Sequence, residues 1–325
     1  MIEIWHQRIS SAQDRIGRHV TRTSLIESPL VNDELGFRLL VKAENLQKTG
    51  SFKVRGATNF VLQAATQSNQ DFVGYSSGNH AQGLAFAARL AERTATVLMP
   101  SNAPARKIKS TKALGAEVVL LDEFIAERDR LVAEMVNEGA IFVPPFDHDW
   151  IVEGQGTVGL EIVEDLGKCG ILPDAAFVPT SGGGLLAGVA ICLRSAFDNL
   201  RITGVEPSDF DDFGRSIAAG SRQQVRLGGR TICDGLMSSQ PGKIPFDIVM
   251  ELGVGFAAVT DEEVRDAMRL LLTGYSVVAE PSGAAALAAV LNRTSELRGL
   301  NVIVVVSGGN VDRQLFTDVH HQAAK

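Results

Sequence analysis

Four short clusters in this 325-residue chain carry residue types able to do chemistry. The first is Gln47-Lys48-Thr49-Gly50-Ser51-Phe52-Lys53-Val54-Arg55-Gly56-Ala57. Ser51 is a candidate N-cap for a helix that presents Lys53 in its first turn. There the positive field of the helix end, with desolvation, lowers the amine pKa and favours the free base that attacks a carbonyl. A solvated surface lysine fits the same residues. The second cluster, Ser76-Ser77-Gly78-Asn79-His80-Ala81-Gln82-Gly83, follows a strand ending near Tyr75 and opens the next helix. Its small residues let backbone approach a ligand, and Ser77 and Asn79 can hold a carboxylate or a ring oxygen. A helix cap with a tight turn is the alternative. The third, Pro179-Thr180-Ser181-Gly182-Gly183-Gly184-Leu185, is again strand, glycine loop and helix. Consecutive glycines let amide groups curl around one phosphate, and the loop matches neither a dinucleotide fingerprint nor a P-loop. The fourth, Val306-Ser307-Gly308-Gly309-Asn310, places a small hydroxyl at a strand end, suited to a buried ring nitrogen or to a helix cap by Ser307 or Asn310.

The elements that must position these clusters alternate. Residues 73–75, 96–99, 118–121, 176–179 and 302–306 read as strands, and 81–91, 105–114, 127–138 and 262–272 as helices. This rhythm specifies an α/β protein with mainly parallel sheets buried on both faces. The turn-rich segment 144–150 (Pro-Pro-Phe-Asp-His-Asp-Trp) marks a return from one lobe to another. A ligand is expected between the two lobes, at the carboxyl ends of the strands.

Composition excludes other classes. Apolar residues make up 45% of the chain and the formal charge is −7, so nucleic acid and anionic membrane are not expected partners. The apolar runs 283–291 and 302–306 are too short for a bilayer span and residues 1–22 are too charged for a signal peptide, which predicts a cytoplasmic protein. Three scattered cysteines and the absence of His-Glu-x-x-His disfavour a disulfide framework and zinc hydrolysis.

A phosphate cup, a lysine able to form an imine and a polar ring clamp describe pyridoxal phosphate better than a nucleotide. In this order, Ser-Phe-Lys-Val-Arg-Gly, Ser-Gly-Asn-His, Ser-Gly-Gly-Gly-Leu and Ser-Gly-Gly-Asn resemble the fold-type II pyridoxal-phosphate enzymes, specifically the threonine dehydratase and serine racemase group, over nearly the whole chain. The resemblance implies a tryptophan synthase β-like fold of two lobes, each a mostly parallel open sheet flanked by helices. A large cofactor-binding domain would comprise residues 1–68 and 149–325, a small one 69–148, with the active site in the cleft between them.

The resemblance also implies roles. Lys53 would form the Schiff base and carry the proton on one ring face, with Phe52 against the ring. Ser181, Gly182, Gly183, Gly184 and Leu185 would cradle the phosphate, Asn79 would meet the ring hydroxyl, Ser307 the pyridine nitrogen, and Gly235 would line the cofactor. Ser76, Ser77, Asn79 and His80 would take the substrate carboxylate, with Ser238 a further contact. Glu206, the Phe210 carbonyl and Asp212 resemble the divalent-ion loop of the racemase group, and oxygen ligands of that kind suit Mg²⁺ or Ca²⁺; an acidic surface turn is the alternative. Ser77 stands where many bacterial members have alanine. In serine racemases and hydroxyaspartate dehydratases the matching serine serves as acid or base on the opposite face, although carboxylate binding alone would also explain it.

The expected activity is elimination from serine, threonine or a related β-hydroxy amino acid, with serine racemase or 3-hydroxyaspartate dehydratase as alternatives and a non-catalytic sensor of a phosphorylated ligand as a different class. A neutral serine at the pyridine nitrogen favours elimination, since expulsion of the β-hydroxyl drains charge from Cα. A homodimer is expected. A C-terminal regulatory domain is not, because only about a dozen residues follow Asp312.

Overall fold

Short, mostly parallel strands bring the clusters together. The computed structural model describes residues 1–226 and 228–321. Its strands are β1 (Leu25–Glu27), β2 (Arg38–Ala43), β3 (Phe72–Tyr75), β4 (Ala95–Pro100), β5 (Glu117–Leu121), β6 (Ile141–Phe142), β7 (Ala175–Pro179), β8 (Arg201–Pro207), β9 (Gly255–Val259) and β10 (Asn301–Val306). They form a six-stranded sheet ordered β1-β2-β10-β7-β8-β9 and a four-stranded sheet ordered β5-β4-β3-β6. Only the β1–β2 pair is antiparallel. The α/β class with mostly parallel sheets expected from the strand and helix rhythm is thus the architecture found.

Strand composition explains the layering. Val302 to Val306 of β10 are fully buried, as expected for a central strand covered by helices on both faces. The helix Gly184–Ala196 lies against the helix Asp149–Cys169 at backbone contact, because a methyl group on Gly188 would sit 2.6 Å from the Val152 carbonyl. Such close packing locks in place the helix whose first turn faces the third cluster.

The anticipated strands and helices agree with those found to within about three residues, and β1, β2, β6, β8 and β9 are additional. Two expected caps are corrected. Ser51 does not cap the helix Lys53–Ala65: Phe52 holds that position without a side-chain bond, while Ser51 is committed to an antiparallel bridge with Gly308 and its hydroxyl is buried without a partner. Neither Ser307 nor Asn310 caps the last helix, Arg313–His321. The Asp312 carboxylate does so, accepting from the Gln314 and Leu315 N–H groups.

Candidate active site

Lys53 is the first residue of its helix, so its amine lies in the positive end of the helix field. The amine donates to the Pro145 carbonyl at 2.8 Å and stands 5.2 Å from the centre of the Phe52 ring. Although the residue keeps some surface open to solvent, desolvation brings its pKa down to about 8. Three contacts tie this lysine to the other clusters. The Phe52 N–H donates to the Ser307 carbonyl at 3.1 Å, Gly83 lies against the Lys53 backbone, and Phe146, next to Pro145, covers the glycine loop.

That loop joins the carboxyl end of β7 to the helix Gly184–Ala196. Any side chain at Gly182 would run into the Phe146 ring, and one at Gly183 into Phe213. Gly183 also has φ +91°, a left-handed conformation that favours glycine. The first N–H groups of the helix have no intrahelical acceptor, so loop and helix end leave backbone donors free to form a cradle for an anion. The Ser181 hydroxyl donates to Ser238 Oγ at 2.8 Å and accepts from the Ser238 N–H at 3.0 Å, which brings the predicted substrate contact Ser238 to the rim of the cradle. Gly183→Ala is expected to lower stability by about 3 kcal/mol, from left-handed strain and overpacking together, and to weaken cofactor binding; urea unfolding and a cofactor titration measure the two effects.

Beyond β3, the helix Asn79–Leu90 begins after Gly78 with no side-chain cap. The polar side chains of the turn are therefore not consumed by capping. Ser76 Oγ accepts from the Gly78 N–H at 3.0 Å, and among the described residues Ser77 Oγ makes no hydrogen bond. The His80 ring is buried and lies 2.9 Å from the Val143 carbonyl, and desolvation, reinforced by Lys53, takes its pKa down to about 3. Of this residue, the backbone N–H is the group suited to a carboxylate. Ser307 is buried, and its hydroxyl reaches the Ser282 carbonyl only at 3.5 Å, so it retains capacity for another partner. The Gly235 N–H donates to Ser282 Oγ at 2.8 Å, placing the Asp234–Leu236 turn beside the same helix end.

Glu206, Phe210 and Asp212 lie behind this cradle at the end of β8, since Phe213 is the residue that blocks Gly183. Glu206 accepts from the Phe213 and Gly214 N–H groups, each at 2.8 Å, and Asp212 Oδ2 is buried without a partner. Desolvation pushes the Glu206 carboxyl up to about 8 and Asp212 up to about 7. No group of three or more His, Cys, Asp or Glu able to hold a metal occurs among the described residues.

Sequence reasoning did not anticipate Pro145 or the roles of Lys107 and Asn310. Pro145 acts through a backbone carbonyl, which leaves no side-chain signal. Glu280, which carries no role in the sequence reading, accepts from Asn79 Nδ2.

A parallel-sheet fold that sets a desolvated lysine and an anion cradle at its strand ends defines an enzyme built around a phosphate-bearing carbonyl cofactor. The sequence pattern of the family described as pyridoxal-phosphate dependent enzyme matches residues 16–308, and the chain belongs to that family. The L-threo-3-hydroxyaspartate ammonia-lyase of Saccharomyces cerevisiae is 35% identical over 310 residues, covering 95% of this chain and 94% of that one. The serine racemase of Schizosaccharomyces pombe is 34% identical, also over 310 residues, with the same two coverages of 95% and 94%. The crystal structure of the T.th. threonine deaminase superposes with a TM-score of 0.89 at 39% identity, covering 94% of this chain and 98% of that one. Membership of an enzyme family sets aside the sensor alternative. No described helix is long and apolar enough to cross a membrane.

Proposed function

We propose that the chain is an ammonia-lyase that takes a β-hydroxy amino acid such as L-serine or L-threonine, removes water and releases a 2-oxo acid and ammonia. Pyridoxal phosphate, when bound, supplies the electron sink for the Cα–H bond that must break. The residues that would hold it are Lys53, Phe52, Asn79, the 181–185 cradle, Gly235 and Ser307. The observation that carries the reading is the Lys53 amine. With a pKa of about 8 it is the free base in about one molecule in ten at pH 7, enough to take a proton from Cα. The exposed N–H groups of the Ser76–His80 turn, with the Ser77 hydroxyl and Ser238 nearby, would orient the substrate carboxylate. Ser307 offers no fixed negative charge to a ring nitrogen, which favours a reaction that sheds charge with the β-hydroxyl.

Ser77 supports a second reading. Its hydroxyl has no hydrogen-bond partner among the described residues, so it could exchange a proton on the face opposite Lys53, the requirement for a racemase. A hydroxyaspartate substrate needs a cation for its second carboxylate. Arg55 is fully buried among its own partners and unsuited to that task, whereas Arg128 lies 4.6 Å over the Tyr75 ring at the start of the turn.

Glu206, the Phe210 carbonyl and Asp212 would hold Mg²⁺ or Ca²⁺. Two buried carboxyl groups, one with an orphaned oxygen, form a donor set that a hard divalent cation relieves. The resemblance extends the proposal to a cytoplasmic homodimer. It also divides the chain into a large lobe, residues 1–68 and 149–325, and a small lobe, 69–148, a division supported by the two separate sheets.

A panel of L- and D-serine, L- and D-threonine and the hydroxyaspartate isomers, with and without Mg²⁺, tests the reading. The expected result is 2-oxo acid and ammonia from L-serine or L-threonine ahead of every other substrate. D-serine forming from L-serine faster than pyruvate would put the racemase first. Ser77→Ala is then expected to lose D-serine formation at least tenfold more than elimination.

A further inference from the structure

We infer that Glu280 is a positioning residue which, with Asn310, fixes the side-chain amide of Asn79 as a hydrogen-bond donor toward the cofactor. The inference rests on the cofactor assignment above and concerns side chains that the assignment leaves without a task.

Asn79 opens a helix packed on the four-stranded sheet, whereas Glu280 precedes the helix Pro281–Leu291 and Asn310 follows β10, both on the six-stranded sheet. The Asn79 amide is clamped from across the cleft. Its Nδ2 donates to Glu280 Oε1, and its Oδ1 accepts from Asn310 Nδ2 at 2.8 Å. A flipped amide would set donor against donor at Asn310 and acceptor against acceptor at Glu280, so one orientation is selected. Asn310 is pinned in turn, because its second amide hydrogen goes to the Thr49 carbonyl at 2.9 Å. Gly50, at φ +73°, makes room for it; a Cβ there would stand 2.5 Å from Asn310 Oδ1. After these bonds Asn79 retains one N–H, the group a ring hydroxyl or its anion accepts from.

Glu280 has features of a residue held for a purpose. It is 1% exposed, and its second oxygen, Oε2, has no hydrogen-bond partner. Lys107, also buried and also from the four-stranded-sheet side, places its ammonium 3.9 Å from that oxygen while paired with Asp234. The Lys107 stem lies under the turn itself, since a Cβ on Gly78 would stand 2.5 Å from Lys107 Cδ. Burying a carboxyl group with one oxygen unmatched is unfavourable unless its other contact is needed.

Cofactor affinity of the apo-protein, followed by the absorbance of the bound cofactor, tests this with wild type, Asn79→Ala, Glu280→Ala, Glu280→Gln and the Asn79/Glu280 double variant. Each alanine variant is expected to weaken binding about tenfold. The double variant should be no weaker than the worse single, and Glu280→Gln, whose amide oxygen can still accept from Asn79, should stay within about threefold of wild type. Multiplied losses in the double variant, or wild-type affinity in Glu280→Ala, would overturn the inference. If Glu280→Ala does not fold, judged by the thermal transition of its apo-form, the cycle of Asn310→Ala with Asn79→Ala reads the same coupling from the other side of the amide. Wild-type protein that develops no cofactor band would instead defeat the cofactor assignment.

Discussion

Replacing Lys53 by alanine is expected to lower turnover by about 10⁴-fold or more and to abolish the covalent cofactor band, while the protein stays folded. The side chain makes one hydrogen bond, to the Pro145 carbonyl, and no ion pair among the described residues. Its helix is held by the buried Val54, Ala57, Phe60 and Val61, so little packing is lost with the amine. The pH dependence follows from linkage. Desolvation lowers the amine from 10.5 to about 8, so between these values the unfolded chain binds more protons than the folded one. The cost of burying the ammonium is present in full below pH 8 and vanishes as pH rises toward 10.5. Wild-type apo-protein should therefore gain stability relative to Lys53→Ala between pH 7.5 and 10, as read from urea midpoints. Turnover within tenfold of wild type, or an unchanged covalent band, would remove Lys53 from the reaction.

Where the candidate site lies in the fold was largely legible, because glycine and small hydroxyl residues after an apolar run leave few readings. Ser181 to Leu185 and Ser307 to Asn310 lie at the carboxyl ends of β7 and β10, where the alternation of strands and helices places them. What the chain conceals is partnership across distance. β2 was missed because Lys42 interrupts its apolar run, and Lys42 is tolerated there because Glu161, 119 residues away, meets it at 2.6 Å and the Thr23 carbonyl accepts from it at 2.7 Å. Ser51 looked like a cap because a serine near the start of a helix commonly is one. The bridge to Gly308, more than 250 positions downstream, claims its backbone instead. The Asn79 clamp was hidden in the same way, since Asn79, Glu280 and Asn310 lie far apart along the chain and meet only in the fold.

Arg55 shows what such partnership does to stability. Two residues beyond Lys53, it is a cation whose place the sequence alone does not give, and it is among the largest fully buried side chains of the protein. Its guanidinium donates to both oxygens of Glu44 at 2.8 and 2.7 Å, to both oxygens of Glu161 at 2.8 and 2.9 Å, and to Thr157 and the Thr21 carbonyl. Burial alone would push the Glu44 carboxyl up; Arg55, ahead of Lys42, outweighs it and holds Glu44 below its ordinary value. With Lys42, the set balances two cations against two anions. Arg55→Ala leaves two buried carboxylates facing one ammonium and is expected to cost about 3–5 kcal/mol. Arg55→Lys should recover only part of this, since an ammonium has three donors where the guanidinium supplies a planar fork to two carboxylates. The sign with pH is fixed by Glu44. Its lowered pKa contributes stability above the unfolded value that fades as pH falls through the folded one, and without Arg55 that contribution is lost. The deficit of Arg55→Ala should therefore be largest near pH 7.5 and shrink toward pH 5, when the abandoned carboxyl groups can take up protons. Urea unfolding of wild type and variant at the two pH values measures this. A difference under 1 kcal/mol at pH 7.5, or one that grows on acidification, would mean that the buried quartet does not hold the lysine-bearing helix to the six-stranded sheet.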